Sequence, residues 1–122
     1  MRAPLYKWSE IAQDFPIAKI ARRVVKGDQA MVAEVLLDRG FKVNTHIHEN
    51  EQIACVISGR MLFGIGERGS GSYYETEVGT GEVLVLPSNV PHSAEALEDS
   101  VLFDIFSPPA ERMGVDEQRA TG

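Results

Sequence analysis

The chain has 122 residues, 43% of them hydrophobic and 25% charged, with a formal net charge of −6. That is enough apolar chain for one domain with its own core, expected over residues 1–122 with a lead at 1–16, a core at about 17–107 and a tail at 108–122. The acidic balance, without any basic run, argues against nucleic acid and anionic membrane as partners, and the single cysteine, Cys55, excludes an internal disulfide and fits a reducing compartment. The N-terminus lacks the apolar run of a signal peptide and no stretch is apolar for long enough to span a bilayer, so a cytoplasmic location is expected.

Residues 8–15 read as a short helical turn with Ser9 as its N-cap, ended by Pro16. Beyond it, apolar and β-branched runs alternate with turn signals. The runs fall at 17–26, 29–37, 41–48, 52–57, 60–65, 73–78, 82–86, 92–97 and 100–106, separated by Gly, Pro, Asn, Asp and Ser clusters. Short strands at this spacing predict an all-β sandwich or barrel. No helical periodicity, internal repeat or linker is visible. The polar tail from 110 to 122 is expected to be frayed, with one helical turn.

Strand alternation gives a map of the interior. His46 and His48 share a face with Asn44, while Thr45 and Ile47 point the other way. Gln52, Ala54 and Val56 share a face, as do Met61, Phe63 and Ile65; Val83 and Val85 alternate with Leu84 and Leu86. Several strands are apolar on both faces, which suits an outer surface covered by a second subunit and predicts a homodimer. Trp8 is expected to close the barrel mouth.

The three histidines fall at defined offsets: His46 and His48 one residue apart, and His92 at the end of a Gly81…Pro87…Asn89…His92 segment. With Gln52 they are read as one metal site, since imidazole suits several transition metals and strand geometry aims His46 and His48 at one point. The plain alternative makes His46 and His48 polar-face residues and His92 a turn cap. Asp104 stands between large apolar neighbours in the run 101–106; a buried carboxylate costs several kcal/mol unless paired or protonated, so it is either a structural residue, edge-facing, hydrogen-bonded or ion-paired to Arg22 or Arg23, or directed at the metal cavity as a proton carrier. Arg23, Arg60 and Arg112 are candidate carboxylate binders, each otherwise a surface charge.

The spacing Gly40…His46-x-His48…Gln52…Gly59, followed by Gly81…Pro87…His92, resembles the two motifs of the cupin family. Gln52 stands where cupins carry Glu, Asn89 replaces a glycine, and Ala96 replaces the final Asn. The resemblance implies a cupin double-stranded β-helix, a jelly-roll barrel, holding one divalent transition metal per chain: zinc, nickel, manganese or iron. A neutral Gln52 leaves such a site one unit more positive than Glu would, favouring Lewis-acid chemistry over oxygen chemistry. The stretch 89–99, with Asp104-x-Phe106 and Pro108-Pro109, resembles more narrowly the small KdgF-like cupins, which linearise 4,5-unsaturated monouronates. That likeness implies a small-molecule substrate, a uronate, with Asp104 and Phe106 completing the site. The family arginine after Pro-Pro falls at Ala110, with Arg112 two residues on. The competing functions are a metal-dependent cupin dioxygenase and a non-catalytic small-ligand-binding cupin.

Overall fold

The structure, a computed structural model, describes residues 2–121, the side chains of residues 117 and 119–121 excepted. After a 3-10 turn at Trp8–Glu10 come the strands β1 (Ile20–Lys26), β2 (Met31–Leu37), β3 (Lys42–His46), β4 (Glu51–Ser58), β5 (Arg60–Ile65), β6 (Tyr74–Gly79), β7 (Val83–Leu86), β8 (His92–Ala96) and β9 (Ser100–Ser107), then the helix α1 (Gly114–Thr121). Two antiparallel sheets form, ordered β1-β2-β9-β4-β7 and β3-β8-β5-β6. This is the jelly roll.

Alternation decides what lies between the sheets. Ala33, Val35, Ala54, Val56 and Leu102 face inward from the larger sheet and Met61, Phe63 and Ile65 from the smaller one, all buried. On β7, Leu86 is buried while Val83 and Val85 stay about half exposed. Gly59 alone separates β4 from β5, at φ 102, a conformation that costs a side-chain-bearing residue. Asn89 takes the left-handed conformation at φ 62, as expected of the residue in the glycine's place.

Four local expectations are corrected. β3 stops at His46, and its pairing with β8 slips between Val43 and His46, three residues against the two from Ala94 to His92. The extra residue is a β-bulge, which resets the alternation, so Val43 and His46 both line the interior and Asn44 is exposed. Trp8 stacks on Phe103 with ring centroids 5.7 Å apart, on the outer face of the larger sheet instead of at the barrel mouth, because Leu102 and Asp104 point inward and leave Phe103 outside. Ser9 lies within the 3-10 turn and Lys7 precedes it, without a side-chain cap. Lastly, the tail is not frayed through α1: Val115 is buried in the core cluster, and Gln118 bonds the edge of β3 at Asn44 N (2.9 Å) and Lys42 O (3.3 Å).

Candidate metal centre and pocket

His46 and His92 are register partners on β3 and β8, so their imidazoles meet across the strand pair with centroids 4.4 Å apart. His48 arrives from the loop after β3, 4.9 Å from the His92 ring and 5.9 Å from the Phe106 ring. Each ring turns its Nδ1 to a backbone carbonyl: His46 to Asn44 O (2.8 Å), His48 to Asn50 O (2.9 Å), His92 to Val90 O (2.9 Å). A carbonyl only accepts, so Nδ1 carries the proton and Nε2 keeps its lone pair. The Nε2 atoms of His48 and His92 are buried with no hydrogen-bond partner among the described residues. The three histidines can each bring a ring nitrogen within 4.8 Å of the others. Orphaned, converging lone pairs with the opposite nitrogen anchored fit a transition metal. Burial first, then the two neighbouring imidazoles, push His92 down to about 4, which keeps it neutral and fit to ligate near pH 7.

Gln52 and Asp104 face the same space. Gln52 pairs with Phe106 and Ala54 with Asp104 along β4 and β9, which puts Gln52 diagonally beside Asp104, and Gln52 Nε2 donates to Asp104 Oδ1 at 3.2 Å. Asp104 pairs with neither arginine considered for it. Its remaining accessible surface opens into the cavity while protein surrounds it, and that desolvation pushes its carboxyl up to about 6 despite the Gln52 bond. His46, Gln52, His92, Asp104 and Phe106 line one cavity of about 70 Å³, closed on one side by Met113, Gly114 and Val115.

Residues 33–106 match the family model described as a cupin domain. The chain belongs to the cupin family. The nitrosourea synthase of Streptomyces achromogenes subsp. streptozoticus is 33% identical over 78 residues, 64% of this chain and 16% of that protein, so the cupin spans only a minor part of its length. Among solved structures, KdgF from Halomonas sp. is 26% identical at a TM-score of 0.79, with 90% of this cupin and 97% of that chain covered. An RmlC-like cupin from Shewanella frigidimarina NCIMB 400 superposes at a TM-score of 0.79 with 18% identity over 90% and 95% of the two chains, a likeness of fold. The protein is thus a small cupin resembling KdgF with a three-histidine site able to bind metal, and its relatives include an enzyme, the nitrosourea synthase. Among the described residues no helix is long and apolar enough to cross a membrane.

The arginines expected as carboxylate binders are directed away from the cupin's cavity. Arg23 faces outward from β1, bonded to Glu34 (2.9 Å) and to Ile11 O (2.8 Å). Arg60 is exposed near Glu77 and Glu98. Arg112 bonds Asp116 O at 3.1 Å in the tail. Two other residues carry roles that motif spacing does not signal. Asn50 is buried, offers its carbonyl to His48, and donates through Nδ2 to Pro108 O at 2.6 Å, tying the ligand loop to the end of β9. Arg22 is buried on the inward face of β1 beside Ile20. The alternation Ile20, Arg22, Val24 carries its signal, an arginine on an apolar face.

Proposed function

We propose that this cupin is a metal-dependent enzyme that converts a 4,5-unsaturated monouronate to its linear keto form. The observation that carries the reading is a desolvated carboxyl, Asp104, lining the same cavity as His46 and His92, whose ring nitrogens converge with that of His48. His46, His48 and His92 would hold the metal. Gln52, its Nε2 committed to Asp104, would add its amide oxygen. When bound, the divalent ion supplies Lewis-acid polarisation of a substrate oxygen.

The rest of the work falls to the chain. Opening the ring breaks the C1–O5 bond, turns C1 into an aldehyde and releases the proton of the C1 hydroxyl. The enol left at C4–C5 becomes a ketone at C5 when C4 gains a proton, so the reaction is an isomerisation that needs one group to take and return a proton. Asp104 suits this, since it faces the cavity beside Gln52 and desolvation raises its carboxyl toward neutrality in the metal-free chain. Phe106, buried with its ring edge on His48, keeps water from the face where the proton moves. Assembly as a homodimer through the apolar outer face of the larger sheet belongs to the same reading.

The test is turnover of 4,5-unsaturated galacturonate and mannuronate by the metal-loaded protein, followed as loss of the enol-ether absorbance against spontaneous opening. Acceleration is expected, falling about 10²-fold or more in Asp104→Ala with metal still bound. Equal rates with and without the loaded protein would refute the reading.

A further inference from the structure

The cavity beside the histidines is too small for a sugar acid. Its 70 Å³ compares with about 300 Å³ or more for sites that enclose small ligands. The tail fills the difference. Gly114 packs so closely on His46 that a Cβ there would lie 2.5 Å from the imidazole, and Met113 and Val115 line the same wall. On the other side of Met113 lies a groove of about 340 Å³ lined by Asp14, Arg22, Met31, Ala110 and Asp116. Met113 borders both spaces, so removing the tail segment joins them.

Two cations line that groove, Lys26 and Arg22, and Arg22 is the buried one. Its guanidinium grips two carboxylates in forks: Asp14 through Nε (2.8 Å) and Nη2 (3.0 Å), and Asp116 through Nη2 (2.7 Å) and Nη1 (3.0 Å). Burial opposes its charge, but the bonds to Asp116 and Asp14 outweigh that and hold its pKa above the usual arginine range. Asp14 comes from the N-terminal lead, next to a bridge with Arg22's own backbone, whereas Asp116 comes from the segment that blocks the cavity. Arg22 also shares the inner sheet face with Asp104: Arg22 pairs with Val35, Val35 with Leu102, and the adjacent row pairs Ala33 with Asp104. Two strand spacings and the step of one row amount to roughly 12 Å, a gap that a long guanidinium side chain and a six-carbon acid span together. Ala110, where the resembling family carries its arginine, lines the same groove.

We propose that Arg22 is the anchor for the substrate carboxylate, and that Asp116 is its built-in stand-in, displaced together with residues 113–118 when a uronate enters. The exchange is like for like, one bidentate carboxylate for another on a guanidinium that Asp14 continues to hold. The substrate class rests on the uronate reading above; the displacement of Asp116 by a carboxylate does not depend on turnover.

The zinc-loaded chain is titrated calorimetrically with galacturonate and with galactose, which lacks the carboxylate, while amide hydrogen exchange follows residues 113–118. Galacturonate is expected to speed exchange across 113–118 and galactose to leave it unchanged. Asp116→Asn, a weaker competitor for Arg22, should bind galacturonate about tenfold more tightly, and Arg22→Lys should lose about tenfold of the preference over galactose. With the unsaturated uronate, Arg22→Lys should raise KM and leave kcat within about twofold. Slower or unchanged exchange of 113–118 with bound galacturonate overturns the proposal, as does an Asp116→Asn variant that binds galacturonate no better than the wild type. Arg22-dependent displacement without turnover keeps the anchor and removes the uronate reaction; turnover with 113–118 still protected does the reverse.

Discussion

Asp104 and His92 are desolvated by one cavity, and burial acts on them in opposite senses. In the metal-free protein the fold favours protonated Asp104, so its contribution to stability is complete below the unfolded carboxyl's pKa and is lost as pH rises through about 6. The fold favours neutral His92, so its contribution is present above the unfolded imidazole's pKa and is lost as pH falls through about 4. Between those values the unfolded chain binds a proton more at His92 and a proton fewer at Asp104, and the two slopes cancel. Asp104→Asn removes one of them while leaving Gln52 an acceptor. The variant's unfolding free energy, measured by urea titration with chelator present, should gain on the wild type by roughly 2 kcal/mol from pH 4 to pH 7. Parallel pH profiles would mean that Asp104 is not desolvated. At the opposite corner of the site, Asn50→Ala should lower metal affinity about tenfold, read by competition with a chromogenic chelator, because the loop that aims His48 loses its tie to Pro108.

At the level of strands and turns, much of the architecture was legible. Each of the nine apolar runs became a strand within a few residues, since alternation and turn chemistry are local and act wherever they occur. The His46–His92 pairing was legible only as a shared destination, because its geometry depends on a bulge in β3 that no residue type announces. The tail was misread for a related reason. Its order comes from long-range partners, Asp116 on Arg22 and Gln118 on β3, which are invisible to local composition. Asn89 belongs to the legible class and yields a prediction for its turn. Its backbone N–H donates to His48 O at 2.9 Å, so the turn before β8 and the ligand loop are braced together. Asn89→Gly should leave the melting temperature nearly unchanged, whereas Asn89→Ala should cost about 1 kcal/mol and lower Tm by several degrees in a thermal scan. Equal melting of the two variants would remove the left-handed turn as the reason for Asn here.

For the molecule as a whole, the two faces of the larger sheet are both apolar, but only one has a cavity to line. The outer face carries Trp8 stacked on Phe103, with Ile57, Val83 and Val85 about half exposed nearby on β4 and β7. A second copy of the chain laid on this face would bury it. Light scattering should therefore report a dimer, and replacing Val83 and Val85 with Lys should give a monomer with its metal affinity intact, because both side chains point away from the histidines. A wild-type monomer would leave that face as ordinary surface. The contact between Gln118 and β3 has a consequence of another kind. β3 lies at the border of its sheet, and the Gln118 amide occupies Asn44 N and Lys42 O as an adjoining strand would. Lifting the tail from the pocket would also uncover that border, so under the proposed displacement a binding event would offer the backbone of β3 to neighbouring molecules. Guest entry and self-association are in this way tied to one glutamine, and a protein held in its open form at high concentration is the one expected to aggregate.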